Sequence, residues 1–189
     1  MSSKPQVRCL RAPLTDADTR TLRAGDAVEL DGIIYGARDA AHARIIECLE
    51  SGIAPPFDLK GAIIYYVGPA PARPEQPIGS AGPTTSGRMD RFTPQLYAAG
   101  VKATIGKGYR SQPVRDAIVT YGGVYLAAIG GSGALLSQRI VNSDIVAYPE
   151  LGPEAIYRLE VRGFPAIVVN DAHGGDLYED AKEQWRDGR

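Results

Sequence analysis

Three short stretches concentrate residue types that handle small anions. In Arg38-Asp39-Ala40-Ala41-His42 the i, i+4 spacing places Arg38 and His42 on one helix face, and an arginine presents a planar fork matched to a carboxylate. Gly82-Pro83-Thr84-Thr85-Ser86-Gly87-Arg88 has few acids and many backbone and hydroxyl donors, and it ends on a guanidinium. Gly106-Lys107-Gly108 sets an ammonium between two glycines, and Gly130-Gly131-Ser132-Gly133 is a further glycine-rich run. Each glycine-rich stretch falls after an expected strand, and in open parallel sheets ligands gather beyond the carboxyl ends of the strands. The positive end of a following helix favours negative charge there. The combination suits a small carboxylate or phosphate, but the same features serve as helix-capping loops with solvated Arg and Lys. His42 reads as a ligand-orienting donor or as a packed helix-start histidine. His173, in Asn170-Asp171-Ala172-His173-Gly174-Gly175, reads as a turn residue.

Other chemistries lack their parts. Gly100-Val101-Lys102-Ala103-Thr104-Ile105-Gly106-Lys107 resembles a phosphate-binding loop, but five residues separate the glycines instead of four, and Gly108 replaces the Ser/Thr that holds magnesium. Gly131-Ser132-Gly133 begins like a dinucleotide fingerprint, yet Leu136 stands where its third glycine belongs. No GxSxG elbow is present, and the two histidines are far apart in sequence. Cys9 and Cys48 cannot supply a zinc site or an iron–sulfur cluster by themselves, so no metal ligands are assigned; both read as small buried hydrophobes.

Composition narrows the classes further. The 189 residues fit one domain, 1–189, and 44% hydrophobic with 23% charged residues is ordinary for a folded chain. Lys+Arg at 21 against Asp+Glu at 22 leaves a net charge of -1, which argues against sequence-independent nucleic-acid binding. No apolar run approaches the roughly 20 residues that span a bilayer, and Met1–Lys4 with Val7, Cys9 and Leu10 shows no signal-peptide core. A cytoplasmic protein is expected.

The elements that must carry these stretches follow from periodicity. Residues 6–12 alternate and read as a strand; Ala27–Tyr35, interrupted by Asp31-Gly32, reads as strand, turn and strand. Arg38–Ser51 shows an apolar stripe at helical spacing (Ala41, Ile45, Ile46, Cys48, Leu49), with Asp39 as N-cap. Ala62–Val67 is a buried-strand run. Residues 69–88, rich in Pro and Gly, form a long loop of the kind that carries function. Beyond it come helices near Met89–Ala99, Pro113–Tyr121 and Ala134–Val141, alternating with strands at Val101–Ile105, Val124–Ile129 and Asp144–Ala147. A turn near Glu154–Arg158, strands at Tyr157–Val161 and Ala166–Val169, and a charged C-terminal helix complete the chain. This predicts an α/β fold with a mostly parallel central sheet, flanking helices and a separate antiparallel N-terminal strand layer.

Taken together, Ala37-Arg38-Asp39-Ala40-Ala41-His42, Gly82-Pro83-Thr84-Thr85-Ser86-Gly87-Arg88-Met89-Asp90 and Ile105-Gly106-Lys107-Gly108 resemble the β subunit, or C-terminal domain, of class I fumarate hydratases and the related L-tartrate dehydratase β subunit. Ala127–Leu136 and Phe164-Pro165-Ala166-Ile167-Val168 fit as well, so the likeness spans about residues 5–180. The resemblance implies a swivelling β/β/α domain that closes over a dicarboxylate, with 69–88 as its active-site loop. It also implies a partner α subunit, in an α2β2 assembly, that holds a [4Fe–4S] cluster whose open iron takes the departing hydroxyl as a Lewis acid. In that family picture Thr84 is the base at C3, Arg38 and Arg88 hold the substrate carboxylates, and Lys107 completes the anion site. Asp39 and His42 stand behind them and orient Arg38, and Thr85 is a ligand or a helix cap. The Ala-Arg-Asp-Ala-Ala-His and Ser-Gly-Arg-Met-Asp blocks favour fumarate over tartrate. Mesaconate differs from fumarate by one methyl group, worth only about 1–3 kcal/mol of discrimination. A non-catalytic anion-binding scaffold is the alternative from another class. A face built for a partner leaves apolar surface exposed, so the isolated chain is expected to form a homodimer.

Overall fold

Ala62–Val67 is apolar at every position, and the fold buries both faces of it. The computed structural model describes residues 7–128 and 132–187. Its strands are β1 (Arg8–Arg11), β2 (Ala27–Gly36), β3 (Ile63–Tyr65), β4 (Ala103–Gly106), β5 (Val124–Ala127), β6 (Ile140–Ala147) and β7 (Ile156–Asn170). They form one seven-stranded sheet in the order β1-β2-β3-β4-β5-β7-β6, and an additional β2–β7 pairing closes five of the strands into a barrel. The pairings β1–β2, β2–β3, β3–β4 and β4–β5 are parallel. The three made by β7, with β2, β5 and β6, are antiparallel.

Strand alternation then sorts the side chains. Val28, Leu30, Ile63, Tyr65, Ala103, Ile105, Val124, Leu126, Val161 and Phe164 belong to one core cluster, the barrel interior. The intervening Ile64 and Tyr66 join Ala41, Ile45, Met89 and Leu96 in a second cluster. Tyr125 packs with Tyr97, Val114, Ala117 and Ile118 in a third. These outer clusters are built by the helices α2 (Asp39–Glu50), α3 (Thr93–Ala98) and α4 (Gln112–Tyr121) that connect consecutive parallel strands. Because both faces are covered, the strands read as continuous apolar runs.

Several expectations are corrected. The N-terminal strands form no separate antiparallel layer: β1 pairs in parallel with β2, inside the single sheet. Asp31-Gly32 makes no turn; β2 runs through it with a register shift between Leu30 and Gly32, and Gly32 takes φ +101°. An Asp-Gly pair suits a bulge as well as a hairpin, because both require a residue at positive φ. Tyr157–Val161 and Ala166–Val169 are one strand, β7, not two. A helix α1 (Asp16–Thr21) precedes β2, capped reciprocally by Thr15 and Asp18. The helix expected at Met89–Ala99 is a 3-10 turn, Ser86–Met89, followed by α3. The one expected at Ala134–Val141 is the short α5 (Gly133–Ser137), after which β6 begins at Ile140. The turn placed near Glu154–Arg158 is a 3-10 segment at Pro149–Glu154 that leads into β7. Leu177–Asp187 is the charged helix α6. Ile129, Gly130 and Gly131 lie outside the described residues. No helix among the described residues is long and apolar enough to cross a membrane.

The bulge generates a stability prediction. A Cβ on Gly32 would stand 2.8 Å from the Ala12 carbonyl oxygen, on a backbone already at positive φ. Gly32→Ala is therefore expected to lower unfolding stability by about 1–3 kcal/mol, seen as a lower urea midpoint at unchanged slope. A midpoint equal to wild type would show that the strand absorbs the side chain.

Candidate functional site

Thr84–Ser86 occupy the carboxyl ends of β3 and β4 as an added rung of backbone. The Thr84 N–H donates to the Tyr66 carbonyl at 2.7 Å, the Lys107 N–H donates to the Thr84 carbonyl at 3.3 Å, and the Ser86 N–H donates to the Lys107 carbonyl at 2.9 Å. Thr85 and Lys107 form a parallel bridge, and Val67 and Pro83 an antiparallel one. Thr84 and Lys107 are thus neighbours fixed by main-chain bonds, with the Lys107 side chain exposed and Thr84 half-buried. Gly106 permits this close approach, since a Cβ there would strike Ser86 Oγ and come within 2.9 Å of the Tyr66 ring. The rest of the 69–88 segment is also tied down. The Ala70 N–H donates to the Ser80 carbonyl at 2.9 Å, the Ala81 N–H to the Gly133 carbonyl at 3.1 Å, and the buried Tyr65 hydroxyl to the Ala81 carbonyl at 2.6 Å.

Arg88 projects from the 3-10 turn and meets the start of α2. Its Nε donates to Asp39 Oδ1 at 3.1 Å, and its Nη2 lies 3.0 Å from Asp39 Oδ2. Asp39 Oδ2 is also 3.9 Å from Arg38 Nε, and Arg38 Nη2 is 3.3 Å from Glu154 Oε1. The result is a row of alternating charges, Arg88–Asp39–Arg38–Glu154. Arg38 Nε is buried and hydrogen-bonds no acceptor among the described residues. Gly68 leaves room for this guanidinium: a Cβ there would come within 2.6 Å of Arg38 Nη1.

Local details differ from the expected division of labour. Asp39 accepts a hydrogen bond from Arg88 through Oδ1, and its Oδ2 lies nearer to Arg88 than to Arg38. The N-cap of α2 is Arg38, which makes no side-chain cap bond, so Asp39 is the first helical residue. The cap comes from across the fold, where the Ala40 N–H donates to Glu154 Oε2 at 3.0 Å. Glu154 therefore both caps α2 and holds Arg38, although it lies 114 residues along the chain from Ala40, and no spacing signal links them. Thr85 occupies the N-cap of the 3-10 turn, but its side chain makes no cap bond. Cys9 is exposed, not a buried hydrophobe, and Cys48 is half-buried with its sulfur 3.7 Å from the Tyr148 hydroxyl. His173 lies in a turn whose His173 and Gly175 N–H groups donate to Asp171, with its Nε2 2.9 Å from the Arg20 carbonyl.

His42 is fully buried, and its Nδ1 lies 2.8 Å from the Arg38 carbonyl oxygen. A carbonyl only accepts, so Nδ1 carries the proton and Nε2 presents a lone pair with no partner among the described residues. His42 therefore fixes the Arg38 backbone and does not touch its guanidinium. Burial is the main cause that depresses its pKa, to about 4; the charge of Arg110 pushes the same way, against the Arg38 hydrogen bond and Asp39.

Among the described residues no group of three or more His, Cys, Asp or Glu is placed to hold a metal ion. What the site offers is three cations (Arg38, Arg88, Lys107), two carboxylates and a hydroxyl in fixed neighbouring segments. That donor set can hold an anion with more than one charged end and stabilise charge that develops on it.

Known proteins resemble this chain along most of its length. The chain matches the Fumarase C-terminus family over residues 2–181. It is 44% identical over 154 residues to the aerobic class I fumarate hydratase of Escherichia coli K12, covering 80% of this chain and 28% of that protein. It is 38% identical over 186 residues to a putative class I fumarate hydratase of Geobacillus stearothermophilus, covering 96% of this chain and 35% of that protein. A putative L(+)-tartrate dehydratase subunit beta of Methanocaldococcus jannaschii is 42% identical over 177 residues, covering 90% of this chain and 91% of that subunit. The chain thus spans about a third or less of these fumarate hydratases and nearly all of the tartrate dehydratase subunit.

The buried histidine makes acid stability predictable. With a folded pKa of about 4 against 6.5 unfolded, the unfolded chain binds the extra proton between those values. The stabilisation is complete above pH 6.5 and is lost as pH falls through about 4, worth about 3 kcal/mol over the window. Unfolding free energies at pH 7 and pH 4.5 should fall less for His42→Gln than for wild type. Parallel losses in the two proteins would contradict the assignment.

Proposed function

This chain belongs to the Fumarase C-terminus family, and from that premise we propose that it is the β component of an iron–sulfur hydro-lyase that interconverts fumarate and (S)-malate. In this reading it is a swivelling β/β/α domain that works with a separate α subunit, as α2β2. The [4Fe–4S] cluster belongs to that α subunit, and the cytoplasm is the setting. Coverage of 91% of a putative tartrate dehydratase subunit beta supports a β-subunit role. The exposed, unpaired Cys9 agrees with a reducing compartment.

The observation that carries the proposal is the pair Arg38 and Arg88 beside the Thr84–Lys107 rung, with Arg38 Nε a buried donor lacking an acceptor. Arg88 binds one substrate carboxylate with its fork, and Arg38 holds the other. Thr84 takes the C3 proton, and the electron pair left behind spreads onto the adjacent carboxylate as the C2 hydroxyl departs, for which a Lewis-acid iron of the partner's cluster would be the acceptor. Charge therefore grows where Arg88 and Lys107 stand, and stabilisation that grows toward the transition state raises the rate. A threonine hydroxyl is a weak base in water, and the flanking cations favour its ionised form. Thr85 is exposed beside this rung and completes its hydroxyl surface. The tartrate dehydratase relative makes tartrate the second substrate to test, and mesaconate is the third.

The test is co-expression with an α subunit without oxygen, followed by ultraviolet assay of fumarate, mesaconate and tartrate. Turnover of fumarate foremost is expected; inactivity on all three with an intact cluster would refute the hydro-lyase assignment. Thr84→Ala should cut kcat by about 10²–10⁴-fold while the subunits still assemble. Near-normal turnover would remove Thr84 as the base. Arg88→Lys keeps the charge and loses the fork, so KM should rise, and an unchanged KM would place Arg88 outside the site.

The isolated chain is proposed to be a dimer. β6 is an outer strand of the sheet, and Val141, Ile145 and Val146 on it are exposed. A single monomeric species in sedimentation at micromolar concentration would contradict this.

A further inference from the structure

Arginine is almost never fully buried unless it is paired, and the Arg110 side chain is completely inaccessible. Nothing in its sequence setting, Gly108-Tyr109-Arg110-Ser111, marks it as special. Its donors nevertheless reach the segments that carry Thr84, Arg88 and Lys107. Nε donates to Asp90 Oδ1 at 2.8 Å, and Asp90 directly follows the 3-10 turn that bears Arg88. Nη1 donates to the Tyr66 hydroxyl and to Thr104 Oγ1, each at 3.2 Å, and Nη2 donates to Thr93 Oγ1 at 2.8 Å. Tyr66 supplies the carbonyl that receives Thr84, and Thr104 lies on β4, three residues before Lys107.

The guanidinium also lies 5.2 Å from the Tyr66 ring centroid and 4.9 Å from that of Tyr125. The Tyr125 hydroxyl donates to the Gly108 carbonyl at 2.9 Å and lies 3.0 Å from Ser86 Oγ. Asp90 closes the circuit, because its Oδ2 accepts the Ser111 N–H at 2.7 Å.

We infer that Arg110 is a positioning residue of the site, whose buried fork sets the Arg88 turn and the Thr84–Lys107 rung in register with each other. The inference rests on the functional reading above, since it assigns Arg110 to the same site. Stability alone is a poor reason to bury this charge, because apolar side chains of similar volume often replace a buried ion pair without loss. Register is a better one. A planar group with five N–H donors fixes directions that packing alone leaves free. Arg110 contacts none of Arg38, Thr84, Arg88 or Lys107 through its hydrogen bonds, so its effect passes through Asp90, Tyr66 and Thr104.

The test compares Arg110→Lys and Asp90→Asn with wild type by two independent readings. Hydrogen exchange on the whole chain should show the Thr84, Ser86 and Lys107 amides losing at least tenfold in protection while amides of β2 and β7 keep theirs. In the assembled complex, kcat should fall by about 10²-fold with KM changed far less, because displacement of a catalytic group by about 1 Å costs that much. Full rescue by lysine would overturn the inference, as would wild-type protection at those three amides or equal loss across β2 and β7. If Arg110→Lys does not fold, Asp90→Asn decides by the same criteria. An inactive wild-type complex would refute the hydro-lyase reading separately, and the exchange pattern would still judge Arg110.

Discussion

Backbone donors that leave regular structure must still find acceptors, and Thr84–Ser86 meet that demand by extending β3 and β4 past their ends. The rest of the site depends on this extension. Its bonds are main-chain to main-chain, so Thr84 and Lys107 are held without engaging their side chains. The geometry requires Gly106, whose missing Cβ lets one backbone lie against the other. The outer layer then adds the charges: α2 brings Arg38 and Asp39, the 3-10 turn brings Arg88, and the 3-10 segment before β7 brings Glu154.

Much of this was legible in residue types and periods. The helical stripe of Ala41, Ile45 and Ile46 located α2 within a residue of its true ends. The run Ala62–Val67 announced a strand buried on both faces, and the glycine-rich stretches at Gly82–Gly87 and Gly106–Gly108 do lie at strand ends. Local pattern failed where the answer was held by distant contacts. Asp31-Gly32 looks the same in a bulge and in a hairpin, and only the continuous pairing with β7 distinguishes them. The β7 reading broke at Gly163-Phe164-Pro165, although Phe164 and Pro165 pair with Leu30 and Glu29 of β2. Barrel closure was invisible for the same reason, since one strand must pair with both β2 and β5.

Side-chain partners follow the same rule. Arg88 and Lys107 stood out as cations in glycine-rich stretches, and Arg38 by its i, i+4 spacing with His42. Glu154 and Arg110 did not, since an acid near a proline and an arginine after a tyrosine are ordinary until the fold places them. Sequence adjacency pairs Asp39 with Arg38 alone; the fold sets it 3.9 Å from Arg38 and adds a closer contact, because the 3-10 turn also delivers Arg88 to it.

That contact has its own consequence. Arg88 is half exposed, and exposed ion pairs contribute only about 0.2–1 kcal/mol. If Arg88 serves a substrate carboxylate as proposed, Asp39 is a resident competitor that holds the Arg88 fork and yields it at little cost. In the proposed reading a diacid binds by exchange, one carboxylate displacing another, and the freed Asp39 remains beside Arg38.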